Sequence, residues 1–189
     1  SLRADHLQCY GYNRKTTPNI DALAKEGIIF TQAIGQSYWT LPSHTSMLTS
    51  QYPSTHGVWE RGQSLQDKAL TLPEILKMYG YETTAFTGGL DLNSINNLNQ
   101  GFDSYYDKKS LARSADLVPL VVDWLDARRK TPDTRPKTQD AGRTTPSPFF
   151  LYLHTYDGHS PYDAVSEPDH HMFDENYRGI FDRVPLSYD

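Results

Sequence analysis

Residues 70–89, LTLPEILKMYGYETTAFTGG, decide the fold because they predict a helix followed directly by a strand. Thr71, with Glu74 three positions later, forms a capping-box pattern, and Gly80 is a typical helix end. The run from Thr83 to Phe86 then has the composition of a strand. A helix that leads straight into a strand is typical of α/β proteins, in which helices cover a mostly parallel sheet.

Outward from this stretch, other segments repeat the same signals. A helix is predicted between an N-cap at Thr17 and a C-cap at Gly27, and the apolar run 28–30 is predicted as a strand or the approach to one. Apolar residues at helical spacing predict another helix from about 113 to 129, and residues 149–153 are typical of a buried strand. We therefore predict an α/β fold whose mostly parallel sheet has helices on both faces.

The segment 130–148 differs from its surroundings in composition. It reads KTPDTRPKTQDAGRTTPSP, which is rich in Thr, Pro and charge and has no apolar periodicity. Because a strand is predicted immediately after it, we interpret it as a surface insertion and not as a boundary between domains. A chain of 189 residues with 37% apolar content can bury one sizeable core, so residues 1–189 are expected to belong to a single domain.

Charge and composition exclude several classes of protein. The formal net charge is -5, with 18 basic and 23 acidic residues, which gives no general attraction to nucleic acid or to an anionic membrane surface. No apolar run reaches the length of about 18 residues that predicts a membrane span. Cys9 is the single cysteine, so neither a disulfide within the chain nor a cysteine cluster for zinc is expected. Any anion must therefore be bound at a local site.

One such local site is suggested by WTLPSHTSMLT, residues 39–49, which resembles a loop that enters a helix. Thr40 falls at or next to the N-cap of this helix. A hydroxyl there lies near unpaired backbone N–H groups and the positive end of the helix dipole, which together favour tetrahedral anions. Simple N-capping explains a Thr at this position equally well. Position alone leaves both roles open.

A second group of polar residues follows the strand predicted at 149–153. His154 comes first, and Asp157 and His159 lie in the run DGHSPY. In α/β proteins the carboxyl ends of the strands carry the active-site residues. His159 could be a hydrogen-bonded loop residue or an anion ligand. Asp157 could orient His159 or bind a metal, and the pattern D-x-H does not distinguish these roles.

Several segments occur in the order that is found in the sulfatase family of the alkaline phosphatase superfamily. They are SLRADHLQCYGY, TTPNIDALAKEGIIFTQA, TLPSHTSMLTSQYPSTHGV, LTLPEILKMYGYETTAF, GFDSYYD and PFFLYLHTYDGHSPY. The resemblance covers most of residues 1–165. It implies an alkaline-phosphatase-like fold of which this chain, residues 1–189, is the N-terminal portion, without the first strand and the C-terminal part. It also favours a periplasmic or secreted location.

This resemblance implies roles for particular residues. The family usually carries its nucleophile as Cys-x-Pro-x-Arg, in which the Cys matures to formylglycine. Here Thr40 takes the Cys position, Pro42 the Pro position and His44 the Arg position. Because Thr cannot mature in this way, no formylglycine is expected. His159 matches a family His that reaches the anionic group of the substrate, and His44 is the second candidate for that contact. The Lys-Trp-His motif of many sulfatases is absent, since residues 87–91 read TGGLD.

Other branches of the superfamily use an unmodified Thr or Ser that is bound to a divalent metal. The resemblance therefore implies that Thr40 is both nucleophile and metal ligand, with Ca²⁺, Mg²⁺, Mn²⁺ or Zn²⁺ as the ion. The other ligands are expected outside the chain, and Asp157 is a further candidate. The expected function is metal-dependent hydrolysis of a small-molecule or glycan sulfate or phosphate ester. A phosphoryl-group transferase and a catalytically silent protein that binds anionic glycans are the alternatives.

Overall fold

The structure, a computed structural model, describes residues 2–130 and 148–159. It divides into two compact units, which we call the N-terminal unit, Ser1–Ile34 with Asp157–Asp189, and the sheet unit, Gly35–Tyr156. Residues 131–147, most of the predicted insertion, lie outside the described part of the chain.

The sheet unit is built on three parallel strands in the order β2-β1-β3, which are β1 (Glu82–Phe86), β2 (Ser104–Tyr106) and β3 (Phe149–Leu153). The central strand β1 places Thr84 opposite Ser104 of β2 and opposite Leu151 of β3. This arrangement confirms the predicted parallel sheet. The strands predicted at 83–86 and 149–153 are both present.

The described helices are α1 (Pro18–Glu26), in the N-terminal unit, and α2 (Thr40–Thr49), α3 (Pro53–His56), α4 (Leu72–Met78) and α5 (Ser114–Lys130), in the sheet unit. Short 3-10 turns include Leu90–Leu92, which follows β1. The predictions of α1, α2, α4 and α5 are thus confirmed to within about two residues. None of the helices in the described ranges is long and apolar enough to cross a membrane.

The start of α4 explains why residues 70–89 predict the fold well. The Thr71 hydroxyl accepts a hydrogen bond from the Glu74 backbone N–H at 3.4 Å, and the Glu74 carboxylate accepts one from the Thr71 N–H at 2.8 Å. The helix start is therefore satisfied by its own sequence. Gly80, at φ +80°, ends the helical segment, and β1 begins at Glu82.

Burial of one face of α2 fixes the orientation of this helix. Leu41, Thr45 and Leu48 recur at helical spacing and are at most 3% exposed. Leu41 and Leu48 belong to the main apolar core, whose other members are Val58, Leu65, Leu92 and Leu98. Because the core takes this face, Thr40 and His44 lie on a neighbouring face, where both are partly buried.

The strand predicted at residues 28–30, in the N-terminal unit, is absent from the structure. Residues 28–30 are irregular, and Ile28 and Phe30 are 83% and 68% exposed. A strand needs hydrogen-bonding neighbours, and no strand in the described ranges pairs with this segment.

The buried residue of α1 is polar. The Asp21 carboxylate accepts hydrogen bonds from the Cys9 N–H at 2.9 Å and from the Thr17 hydroxyl at 3.1 Å.

Candidate active site

Thr40 is the first residue of α2, and Trp39 occupies the N-cap position. No side chain caps this helix start. Among the described residues, the Thr40 hydroxyl has no hydrogen-bond partner. N-capping therefore does not account for Thr40. The structure places a hydroxyl at the positive end of a ten-residue helix, beside backbone N–H groups that lack a side-chain acceptor.

His44 lies one helical turn after Thr40 and therefore on the same side of α2. Its Nδ1 atom is in hydrogen-bond contact with the hydroxyl of Tyr152 on β3. The ring of His154, just after β3, meets the His44 ring edge to face, with the centroids 5.0 Å apart. The backbone N–H of His154 donates to the Phe86 carbonyl at the end of β1 at 2.9 Å. His44 thus lies against the carboxyl ends of two parallel strands, where α/β proteins place their chemistry.

Burial determines the protonation states of this His–Tyr pair. Burial, together with the neighbouring His154, lowers the pKa of His44 to about 4. Burial also raises the pKa of Tyr152 well above its usual range. At neutral pH the imidazole is therefore uncharged and the phenol keeps its proton.

The rings of His44, His154 and Tyr156 form a row in which each ring contacts the next. Tyr156 is 5% exposed, and its ring meets that of His154 edge to face at 4.9 Å between centroids. Burial raises the pKa of Tyr156 to about 12, and the carboxylate of Asp91 contributes to the rise. A Cβ atom at Gly88 would lie 2.3 Å from the Tyr156 ring, so only glycine at position 88 leaves room for this ring.

The segment that replaces the family's Lys-Trp-His motif carries a charge pair that sequence analysis missed. Asp91 binds Arg61, with Nε and Oδ1 3.1 Å apart. The Arg61 side chain is 78% exposed, whereas that of Asp91 is 13% exposed. The Asp91 carboxylate raises the pKa of Tyr156 and the Arg61 guanidinium lowers it, so both charged groups lie near the Tyr156 ring. No local pattern in the sequence indicates this position for Arg61.

A second hydroxyl–imidazole pair, which joins α2 to α3, has a structural role. Ser46 Oγ and His56 Nε2 are 2.9 Å apart, and both residues are buried. His56 Nδ1 accepts a hydrogen bond from the Val58 N–H at 3.1 Å. Because burial lowers the pKa of His56, its ring is neutral and Nε2 carries the proton. Nε2 of His56 therefore has no lone pair for the Ser46 hydroxyl, and His56 cannot act as a base for it.

Tyr152 and Tyr156 were not among the predicted site residues, and His154 was noted only as the first polar residue after the predicted strand. A signal for two of them exists, because side chains two positions apart on a strand share a face. His154 directly follows β3, two positions after Tyr152, so a strand prediction that reached His154 would place both side chains on one face. Asp157 and His159 belong to the N-terminal unit, where both are exposed, and their functional roles stay predictions.

The described residues do not complete a metal site. Within residues 2–130 and 148–159, no cluster of three or more His, Cys, Asp or Glu side chains has a geometry that could hold an ion. Thr40 would offer one hydroxyl, which is too few donors for a hard divalent cation. Additional ligands would have to come from outside these ranges.

Comparison with known proteins gives the chain a family context. The family model described as "Sulfatase" matches residues 1–181. Arylsulfatase H of Canis lupus familiaris is 35% identical over 125 residues, which are 56% of this chain and 22% of the dog protein. The chain therefore spans about a fifth of the length of this relative.

Solved structures show the same fold at low sequence identity. The phosphonate monoester hydrolase of Agrobacterium radiobacter matches with a TM-score of 0.59 and 21% identity, over 89% of this chain and 41% of that one. A structure that holds its substrate, D-glucosamine-2-N,6-O-disulfate, matches with a TM-score of 0.64 and 21% identity, over 83% of this chain and 32% of that one.

Proposed function

Because the chain belongs to the sulfatase family, we propose that the protein containing it hydrolyses a sulfate or phosphate ester with Thr40 as the nucleophile. The observation that carries this proposal is the position of the Thr40 hydroxyl at the start of α2, without a hydrogen-bond partner among the described residues. A capping role would require Thr40 at the N-cap, which Trp39 occupies. The neighbouring N–H groups favour a tetrahedral anion at the same place.

The chemistry would proceed by two displacements at the sulfur or phosphorus atom. Thr40 loses its proton, its oxygen bonds to the central atom, and the ester oxygen leaves and takes up a proton as the alcohol. Water then attacks the covalent intermediate, which releases sulfate or phosphate and returns the proton to Thr40. The free N–H groups of α2 stabilise the charge on the transferred group. Neutral His44, one turn further along, supplies an N–H donor in place of the family's Arg.

A divalent ion is part of the proposal, with Thr40 as one ligand and the remaining ligands outside the described residues. When bound, it would favour ionisation of the Thr40 hydroxyl near neutral pH. Formylglycine has no place in this mechanism, because the Cβ atom of Thr carries a methyl group and cannot be oxidised to an aldehyde.

The proposed substrates are sulfated or phosphorylated small molecules and glycans. Support comes from the structural relative that holds a disulfated glucosamine. A phosphate or phosphonate ester is the second class, supported by the relative that hydrolyses phosphonate monoesters. For such substrates we propose a periplasmic or secreted location. A phosphoryl-group transferase of the same superfamily would use the same first displacement, with an alcohol replacing water.

One observation favours a different function, the binding of anionic glycans without catalysis. His44 replaces an arginine of the family pattern, and burial keeps its imidazole uncharged at neutral pH. The site thus has less positive charge to stabilise a transition state than a site with arginine. A protein of this kind would bind a sulfated glycan and release no product.

The test uses the intact protein that contains this chain, with aryl sulfate, aryl phosphate and phosphonate monoester substrates. Thr40→Ala should lower kcat by at least about a thousandfold, the scale on which loss of an essential catalytic group acts. Thr49→Ala, at the other end of α2, is the matched control and should keep near-normal turnover. Mass spectrometry after rapid quenching should find the transferred group on Thr40. Unchanged turnover in Thr40→Ala would exclude the proposed nucleophile.

A further inference from the structure

We propose that Tyr152 is a positioning residue that acts through His44. Its hydroxyl donates to Nδ1 of His44 and so fixes the imidazole with its proton on Nε2, as the donor for the anionic group bound beside Thr40. The proposal rests on the proposed function, because it assigns His44 to the substrate. It adds a residue on a different element, 108 positions away in the sequence, that controls what His44 can donate.

The phenol of Tyr152 is held from several sides. Tyr152 lies in β3 opposite Ala85 of β1, so the sheet fixes its backbone. Its ring packs against the main apolar core and lies 6.2 Å from the Phe102 ring, centroid to centroid. The rings of Tyr152 and His44 are nearly perpendicular, at 89°. A hydroxyl on such a rigid support can hold an imidazole in one orientation.

The direction of the hydrogen bond follows from the partners available. Among the described residues, the Tyr152 hydroxyl has no hydrogen-bond partner except His44. If Nδ1 of His44 donated, the proton of this mostly buried hydroxyl would have no acceptor, which is costly. If the hydroxyl donates, both groups are satisfied. The neutral ring then carries its single proton on Nε2.

The Nε2–H group is left available for a ligand. Within the described ranges the His44 imidazole has no hydrogen bond apart from that with Tyr152. The His154 ring at 5.0 Å limits rotation of the His44 ring from the side. Thr40 is one turn away on the same side of α2, so an anion that contacts the start of this helix comes within reach of His44.

The direct test is histidine-selective ¹⁵N NMR of the intact protein, with the His44 signals identified by their loss in His44→Ala. We expect a protonated Nε2 and an unprotonated, hydrogen-bonded Nδ1. In Tyr152→Phe the Nδ1 signal should move towards that of a nitrogen without a hydrogen bond. Tyr105→Phe is the matched control, because it removes another largely buried hydroxyl, which donates to the Leu92 carbonyl at 2.8 Å. A wild-type Nδ1 that carries the proton would overturn the proposal.

Kinetics supply the second test. Tyr152→Phe should raise the inhibition constants of inorganic sulfate and phosphate by about tenfold, the usual scale of one hydrogen bond. The same change in a His44→Ala background should have almost no further effect, because both residues act through one donor. If His44→Ala does not fold, His44→Asn takes its place. Additive effects would overturn the proposal, whereas unchanged turnover in Thr40→Ala would overturn the proposed function and leave the NMR result standing.

Discussion

The rings of His44 and His154 meet edge to face, with their centroids 5.0 Å apart, where α2 lies against the end of β3. Burial of His44 disfavours a positive charge on its ring, and the neighbouring His154 acts in the same direction. In the proposed function, His44 therefore offers a neutral hydrogen-bonding group where the family pattern has the permanent charge of an arginine. This difference leads to a first prediction about pH.

The stability of the protein should decrease as the pH is lowered, over a range set by the pKa of His44. Its folded pKa, about 4, lies below the ordinary value of 6.5, so the unfolded chain binds more protons between these values. The contribution is fully present above about pH 6.5 and is lost as the pH falls towards 4. Thermal unfolding should show a smaller drop in Tm from pH 7 to pH 5 for His44→Asn than for the wild type. Equal drops would mean that His44 is not buried in its neutral form.

Metal removal should abolish turnover if Thr40 reacts as a metal-bound hydroxyl. We expect the intact protein to lose activity after dialysis against a chelator and to regain it with at least one of Ca²⁺, Mg²⁺, Mn²⁺ and Zn²⁺. Elemental analysis of the dialysed sample is the necessary control. Full turnover by a sample shown to be free of metal would contradict this prediction.

Substitution of Gly88 should displace Tyr156. In Gly88→Ala the new Cβ would lie 2.3 Å from the Tyr156 ring, and overpacking of this kind costs about 1–3 kcal/mol. Gly35→Ala is the control, since its Cβ would meet only an ordinary contact at 3.5 Å. Urea unfolding measures both variants. In the double variant Gly88→Ala with Tyr156→Ala, the loss in the free energy of unfolding should be smaller than the sum of the two single losses, because the clash is gone. Losses that simply add would argue against the clash.

Removal of the α4 cap should destabilise the sheet unit. Thr71→Ala loses the hydroxyl that accepts from the Glu74 N–H and that lies 3.1 Å from the Gln100 carbonyl. Because Thr71 is 1% exposed, we expect a loss of about 1–2 kcal/mol in the free energy of unfolding. Thr71→Ser keeps the hydroxyl and should lose much less. Equal losses in both variants would indicate that the methyl group matters and the cap does not.

Local sequence patterns predicted the elements that local interactions stabilise. The capping box of Thr71 and Glu74 is formed within one helical turn, and the structure shows both of its hydrogen bonds. The apolar spacing of α5 likewise gave its bounds to within one residue. By contrast, residues 28–30 have the composition of a strand, but a strand also needs neighbours, and composition does not contain that information.

The sequence by itself determined the α/β order and the place of Thr40 at the start of a helix, because each depends on residues a few positions apart. The parallel sheet was predicted from that alternation of helices and strands. Only the tertiary structure decided which side chains surround that helix. Tyr152 reaches His44 across 108 positions because β3 pairs in register with β1 and α2 buries its Leu41 face in the core. Such a contact depends on how separate elements pack, and no short stretch of sequence records it.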